Sequence, residues 1–455
     1  MRNGKKVIGI CTAELEQTFH AKLLERVMKE LMDRGNDVLV FSLDSDMYNH
    51  TDSDEGDAAI FELPNYDIID VMLIFSMTIR SPEDVREIAN RAKSEDIPVV
   101  LVDMEIEGCY NVIYNTEDAF ERVVRHVIEY HGVREINFLA GIEGDEFSEQ
   151  RLNVFKRVLD DNDIPFEEER VGYGGFWEGP TFEVMKDFMH PSKVPPEAII
   201  CSNDSMAVAV CDYLAEMDVM VPDEILVTGI DGIDEGKLHS PGITTAVRDE
   251  VNDAKKIADL VHSILLGERA TKHMELGYHM QLSQSCGCQK HHLFDKTRLL
   301  RTLNTELALR IADIRRYERL MGVILKKKML DDEVFDSVAE LLPEDSFICI
   351  NDDLEVGKKD NNKHRRRKNP FTEKLKAVVK IGGKIERGSC SLRNMVPEQG
   401  KDMGDAAVIF MLIHFEERVV GYLGIWRSDL SEFNRVSHLH FLKSLDNSLA
   451  YKLSE

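Results

Sequence analysis

Two cysteines and two histidines lie close together in the sequence, at Cys286, Cys288, His291 and His292. Thiolate and imidazole are ligands that zinc prefers in proteins, so this cluster predicts a metal site as one alternative. The Cys-x-Cys spacing is tighter than that of most zinc sites, which separates the two cysteines by at least two residues. We therefore favour a turn whose thiols pack at a domain junction, and we expect no metal or other cofactor.

Motifs of the common catalytic sites are absent from the sequence. It contains no G-x-x-x-x-G-K-[ST] loop, no H-E-x-x-H pair and no G-x-S-x-G turn. Those patterns hold phosphate, zinc or a nucleophilic serine. We expect a protein that is not an enzyme, with an enzyme built on the Cys/His cluster as the remaining alternative.

Charge is unevenly divided along the 455 residues, whose net charge is −27. Residues 291–455 carry 29 Lys and Arg against 26 Asp and Glu, whereas residues 1–290 carry 27 against 57. The acidic part argues against broad phosphate binding and against docking on an anionic membrane, and the asymmetry indicates two modules. The sequence shows no secretion signal and no apolar run of about 20 residues, so we expect a cytoplasmic chain with reduced cysteines.

Short apolar runs alternate with amphipathic helical patterns over the first 290 residues. The predicted strands are 7–11, 38–41, 71–75, 99–102, 136–140, 198–201 and 226–230. This alternation predicts an α/β fold of doubly wound parallel sheets, and the number of units favours two lobes, the second beginning near Thr116. Ligands bind beyond the carboxyl ends of such strands. The candidate residues at these ends are the segment 12–19, Ser76, Met77, Asp103, Asn203, Asp204 and Asp231.

Six segments resemble, in the same order, the effector domain of the lactose/galactose-repressor family. They are residues 97–103, 134–141, 151–155, 198–207, 221–231 and 240–245. That effector domain has the two-lobed periplasmic-binding-protein-like fold, so the resemblance implies this fold for about residues 5–270. Only six residues precede Val7. We therefore expect a sensor without the helix-turn-helix headpiece that reads DNA in the family.

The resemblance also implies roles for individual side chains in the cleft between the lobes. Arg151, Asn203 and Asp231 would hydrogen-bond the hydroxyls of a small ligand, and Phe19 would stack on it. A guanidinium fork and a carboxylate suit a polyol, and an aromatic face suits the apolar face of a sugar. The alternatives are helix capping for Asn203 and Asp231 and helix-face packing for Phe19. The predicted ligand-binding set is Phe19, Ser76, Asp103, Arg151, Asn203 and Asp231.

The C-terminal part begins with apolar residues at heptad steps over 300–324, which predict a long helix. We interpret it as a parallel dimeric coiled coil, with a single amphipathic helix as the alternative. Residues 335–455 are predicted to be α+β, with a helix at 335–342, a strand at 346–350, a hairpin of 407–415 and 419–426, and a last helix at 433–453. The hairpin resembles that of a GAF-type signalling domain. The whole arrangement resembles the sensor part of bacterial diguanylate cyclases or AraC-type regulators, in which a similar Ser-Cys-Gly-Cys motif ends the sensor.

The sequence thus predicts a sensor domain at 1–285, a junction and signalling helix at 286–330, and a GAF-like domain at 331–455. We expect a homodimeric regulatory protein in which a small polar molecule, most simply a sugar, closes the lobes and changes the helix. The alternative is a transcriptional regulator that contacts DNA directly or through a partner. The basic run 363–368 could touch DNA, but we interpret it as a polar loop because no aromatic residues interleave with it.

Overall fold

The computed structural model describes residues 4–13, 15, 18–43, 56–79, 81–289, 301, 304, 338, 340, 342–352, 369–400, 406–415 and 418–427. They belong to two compact units, which are described separately. The first comprises Met1–Ile113, Ala254–Met274 and Asn304–Glu455, and the second Tyr114–Asp253 and Glu275–Leu303. The predicted heptad helix, the basic run 363–368, His291, His292 and the last predicted helix lie outside the described residues, as does most of the predicted helix 335–342.

The first unit begins with a parallel sheet. Its strands are β1 (Val7–Ala13), β2 (Asp37–Leu43), β3 (Val71–Phe75), β4 (Val99–Val102) and β5 (Tyr110–Tyr114), and its helices are α1 (Thr18–Asp33) and α2 (Pro82–Ser94). Every residue of β1 to β4 is buried, as expected for a parallel sheet covered on both faces. The Ser81 hydroxyl caps α2 by accepting from the Asp84 N–H at 3.1 Å, and Pro82 follows in the first turn.

The second unit contains a four-stranded parallel sheet in the order β7-β6-β8-β9. The strands are β6 (Ile136–Ala140), β7 (Val171–Tyr173), β8 (Ala198–Cys201) and β9 (Leu226–Thr228). The helices are α3 (Thr116–Arg125), α4 (Glu146–Asp161), α5 (Glu178–Phe188), α6 (Asp204–Glu216) and α7 (Asp234–Leu238). From β6 the chain first runs outward to β7 on one side of the sheet and then crosses back to β8 and β9 on the other side. The topological switch point therefore lies between β6 and β8. The same rule places the switch point of the first sheet between β1 and β3.

Four further elements follow in the chain, which are β10 (Thr245–Arg248), α8 (Glu250–Leu265), β11 (His273–Leu276) and β12 (Tyr278–Gln281). β10 and β12 form an antiparallel ribbon in the second unit, and β11 lies at the edge of the first sheet beside β5. None of the helices among the described residues is both long enough and apolar enough to cross a membrane.

The C-terminal strands extend the first sheet. They are β13 (Ser346–Asn351), β14 (Lys374–Ile381), β15 (Lys384–Ser391), β16 (Ala407–Phe415) and β17 (Arg418–Arg427). β16 pairs in parallel with β2, with Phe410 opposite Phe41. The resulting order is β11-β5-β4-β3-β1-β2-β16-β17-β13-β14-β15, with antiparallel pairing beyond β16. The predicted hairpin is present as β16 and β17, but its sheet is continuous with that of the N-terminal residues.

Candidate functional site

The carboxyl end of β9 carries Asp231 in an unusual backbone conformation. Its φ is 121°, a region that favours glycine, and its N–H donates to the carbonyl of Ala246 at 3.0 Å. Non-glycine residues held in such a conformation often lie at functional sites, where the surrounding structure fixes them. The backbone of Asp231 is therefore held in this conformation beside β10.

A second carboxylate, Asp204, fixes the loop that follows Asp231. It is the first residue of α6, and its Oδ2 accepts from the N–H groups of Gly232 and Ile233 at 2.7 and 3.0 Å. Gly229 lies so close that a Cβ there would come within 2.3 Å of the Asp204 Oδ1. Close approach of β9 to α6 thus requires glycine at 229 and a carboxylate at 204.

The pKa values of both carboxyl groups, Asp231 and Asp204, lie above the ordinary value for aspartate. Burial raises the pKa of Asp231 to about 6, although the nearby positive charges of Arg151 and Arg248 oppose this rise. Burial and the charge of Asp231 raise the pKa of Asp204 to about 7. At neutral pH, Asp231 is mostly ionised near two guanidinium groups, a combination that can accept from one hydroxyl and donate to another.

Arg151 and Arg248 reach this region from different elements. Arg151 lies on α4 and donates to the carbonyl oxygen of Ser202, directly after β8. Arg248 ends β10 and is buried, with its guanidinium 3.7 Å from the centre of the Tyr114 ring and its Nε donating to the Tyr278 hydroxyl at 3.0 Å. Sequence reasoning found Arg151 and missed Arg248. The only sequence signal for Arg248 was its position, three residues beyond the matched segment 240–245.

Asn203 caps α6, which is the capping role that the sequence offered as the alternative to ligand binding. Its Oδ1 accepts from the Met206 N–H at 2.9 Å, and its Nδ2 donates to the carbonyl of Phe176 at 3.2 Å. The Phe176 ring lies against Gly141, where a Cβ would come within 2.0 Å of it. Asn203 therefore links the segments that follow β8 and β7. Trp177, which follows Phe176 in the chain, has a half-exposed side chain.

In the first unit the predicted residues follow strands as expected. Ser76 follows β3, and its buried hydroxyl has no hydrogen-bond partner within the described part of the chain. Asp103 follows β4 with a φ of 67°, and its N–H donates to the carbonyl of Val112 at 2.8 Å. Phe19 lies on α1, but its side chain is outside the described part of the chain.

Two histidines lie beside the cysteines of the alternative Cys/His cluster, and they are not His291 and His292, which lie outside the described residues. In the second unit, Cys286 and Cys288 lie beside His126 and His131, more than 150 residues earlier in the chain. Burial lowers the pKa of both imidazoles and raises the pKa of the Cys288 thiol to about 11. The grouping is thus a three-dimensional one that sequence spacing did not show.

Residues 124–284 match the family model of a periplasmic binding protein-like domain. This part of the chain has the periplasmic-binding-protein-like fold. The predicted α/β class with parallel sheets is confirmed by this match and by solved structures that are similar to the chain. One is a sugar-binding transcriptional regulator of the LacI family from Escherichia coli, with a TM-score of 0.50 and 20% identity over 61% of this chain and 97% of that chain. Another is the lac repressor dimer bound to operator and an anti-inducer, with a TM-score of 0.51 and 17% identity over 62% of this chain and 94% of that chain.

Among curated proteins, the chain is similar to the probable HTH-type transcriptional repressor ExuR of Bacillus subtilis. The two are 27% identical over 209 residues, which is 44% of this chain and 62% of that protein. The chain spans less than two thirds of the length of the first curated relatives that it matches.

Proposed function

We propose that the chain is a ligand-responsive transcriptional regulator of the lactose/galactose-repressor type. The similarity to ExuR, a probable repressor, supports regulation of transcription. It favours the alternative predicted from the sequence over a sensor that signals only through a helix and a GAF-like module. The observation that carries the ligand-binding part is Asp231. It is a carboxylate fixed at φ 121° beyond the carboxyl end of β9, near Arg151 and Arg248.

The proposed ligand is a small polyol, most simply a sugar or sugar acid. An ionised Asp231 accepts from hydroxyl groups, and guanidinium groups donate to hydroxyl or carboxylate oxygens. Trp177 supplies an exposed aromatic face in the same unit. In the first unit, the Ser76 hydroxyl is buried without a hydrogen-bond partner among the described residues, which supports keeping it as a candidate ligand contact. The proposed ligand-binding residues remain Phe19, Ser76, Asp103, Arg151, Asn203 and Asp231.

The proposed output is a change in how residues beyond 285 pair or bind. A ligand shifts this equilibrium only by its difference in affinity between the two states of the sensor. The proposed domains are a sensor at 1–285, a Cys-Gly-Cys junction and signalling helix at 286–330, and a GAF-like module at 331–455 in a homodimer. The described strands of that module join the first sheet through the pairing of β16 with β2. DNA would be contacted by the chain itself or by a partner protein.

A two-step experiment tests this function with the full chain. A thermal-shift screen against glucose, galactose, maltose, cellobiose, glucuronate and galacturonate identifies a stabilising compound. Electrophoretic binding to genomic DNA fragments is then measured with and without that compound at rising salt. The proposal of direct DNA binding is supported if the chain retards some fragments, if that binding weakens as salt rises, and if the compound changes its strength. Absence of any stabilising compound, or DNA binding that is indifferent to it, contradicts the proposal.

A further inference from the structure

Four potential metal ligands of the second unit converge on one point. The Nε2 atoms of His126 and His131 and the Sγ atoms of Cys286 and Cys288 all lie within 4.8 Å of one another. Cys286 is buried, and the other three side chains are partly buried. The four atoms belong to two parts of the chain, at 126–131 and 286–288, that only folding brings together.

Four of the six separations between these atoms match the edges of a metal tetrahedron. With Zn–S near 2.3 Å and Zn–N near 2.0 to 2.1 Å, tetrahedral angles place N and S about 3.6 Å apart and the two N atoms about 3.3 Å apart. The His126 Nε2 lies 3.6 Å from the Cys286 Sγ and 3.5 Å from the Cys288 Sγ. The His131 Nε2 lies 3.5 Å from the Cys288 Sγ and 3.2 Å from the His126 Nε2. Each of these four separations agrees with its expected value to about 0.1 Å.

Hydrogen bonding alone leaves this arrangement poorly explained. The Nε2 of His126 has three close neighbours, one nitrogen and two sulfurs. A single imidazole nitrogen carries either one proton or one lone pair, so it cannot serve all three. A cation at the centre uses every lone pair at once. The Thr244 hydroxyl also donates to the Cys286 Sγ at 2.9 Å, a contact that suits a sulfur bearing negative charge.

Local backbone features aim the four side chains at this point. His126–Tyr130 forms a turn of π-helix, and His131 follows it. In a regular α-helix, residues five apart point about 140° away from each other, whereas the wider π turn brings them to one face. Gly287 between the cysteines has a φ of 79°, a conformation that favours glycine and turns both thiols to one side. π turns occur frequently at functional sites.

We propose that His126, His131, Cys286 and Cys288 bind one Zn²⁺ ion as a structural site. Four protein ligands leave no open position, so the ion would stabilise rather than catalyse. Two thiolates balance the charge of the ion, and their two protons are released on binding. The site fastens residues 286–288 to the end of the helix that begins with α3. This is the point beyond which the proposed signalling helix follows, so the ion would anchor its start.

Metal analysis of the full chain, purified without a metal-affinity step, tests the site. We expect about one zinc ion per chain in the wild type and at least a tenfold lower content in Cys288→Ser and His131→Gln. Cys109→Ser and His190→Gln, a buried cysteine and an exposed histidine away from the cluster, are matched controls that should keep the wild-type content. Zinc that persists in both cluster variants overturns the proposal.

Cobalt substitution keeps the test valid if the cluster variants fail to fold. The demetallated wild type titrated with Co²⁺ should develop the visible bands of a tetrahedral site and a sulfur-to-metal charge-transfer band, saturating at about one ion per chain. A chain that takes up neither Zn²⁺ nor Co²⁺ with both thiols reduced contradicts the site. A Cys286–Cys288 disulfide in protein kept under reducing conditions contradicts it equally.

Discussion

The rings of Phe41 and Phe410 stack with their centroids 5.2 Å apart and their planes 9° from parallel. Both side chains are fully buried, and they lie opposite each other where β2 pairs with β16. A strand of the N-terminal sheet and a strand near the C-terminal end of the described chain therefore share one sheet and one core. This relationship makes the stability of the two parts interdependent.

Phe410→Ala should accordingly weaken the N-terminal sheet as well as the C-terminal strands. Loss of a buried phenylalanine costs about 3 to 5 kcal/mol, because the cavity refills only partly. Hydrogen exchange of the amides in β1 and β2 measures the N-terminal effect. In a Trp177→Phe background, fluorescence of the buried Trp426 measures unfolding of the C-terminal strands.

Phe188→Ala is the matched control, since Phe188 is equally buried but lies in the second unit. It should leave the exchange of β1 and β2 unchanged. If Phe410→Ala loosens only the C-terminal strands and the β1 and β2 amides keep their protection, the shared core does not couple the two parts.

Asp204 should make the second unit less stable as pH rises. Its pKa in the folded chain is about 7, above its ordinary value of 3.8, so the folded state holds the proton more tightly than the unfolded state. This contribution is fully present below pH 3.8 and is lost as pH rises through 7. We expect Asp204→Asn, which keeps the oxygen that accepts from Gly232 and Ile233, to remove this loss.

Urea denaturation of chains with and without Asp204→Asn, both in a Trp426→Phe background and followed by Trp177 fluorescence between pH 4.5 and 8, measures the difference. The variant should gain stability relative to the wild type as pH rises, by an amount on the order of a few kcal/mol. The exposed Asp223→Asn serves as control and should run parallel to the wild type. A constant difference between Asp204→Asn and the wild type across this range would show that Asp204 does not titrate as described.

Asn203 offers a way to separate helix capping from ligand binding. Asn203→Ala removes the acceptor for the Met206 N–H and should cost about 1 kcal/mol of stability. Asn203→Ser restores a cap and should recover most of that loss. Affinity for the compound found in the screen should fall in both variants if the amide also binds ligand. Full affinity in Asn203→Ser would assign the residue to capping alone.

Local features of the fold could be predicted from sequence, whereas long-range pairings could not. The strand before Ser76 and the cap at Ser81 follow from apolar runs and from one hydroxyl before a proline, which neighbouring residues determine. The hairpin of β14 and β15 was missed, although Gly382 and Gly383 at its turn both have positive φ and gave a local signal. The pairing of β2 with β16 joins residues more than 360 positions apart, and no local sequence pattern predicts such a pairing.

The candidate site divides in the same way. Asp231 and Arg151 were found because they stand in matched segments, but Arg248 reaches the region from a strand that was not predicted. The sequence offered His291 and His292 as partners of the two cysteines only as an alternative to a turn with packed thiols, and both histidines lie outside the described residues. The structure places His126 beside Cys286 and Cys288, because a π turn and the fold bring 126–131 to the end of the domain.

The most direct test of the proposed function is the affinity of Asp231→Asn for the compound identified in the thermal-shift screen. Calorimetric titration of the full chain should give saturable binding by the wild type and by Asp223→Asn. Asp231→Asn keeps the shape of the side chain but loses charge-assisted hydrogen bonds worth about 1.5 to 3 kcal/mol, so its affinity should fall about 10- to 100-fold. Binding of the same strength in Asp231→Asn would contradict a ligand site built on this carboxylate.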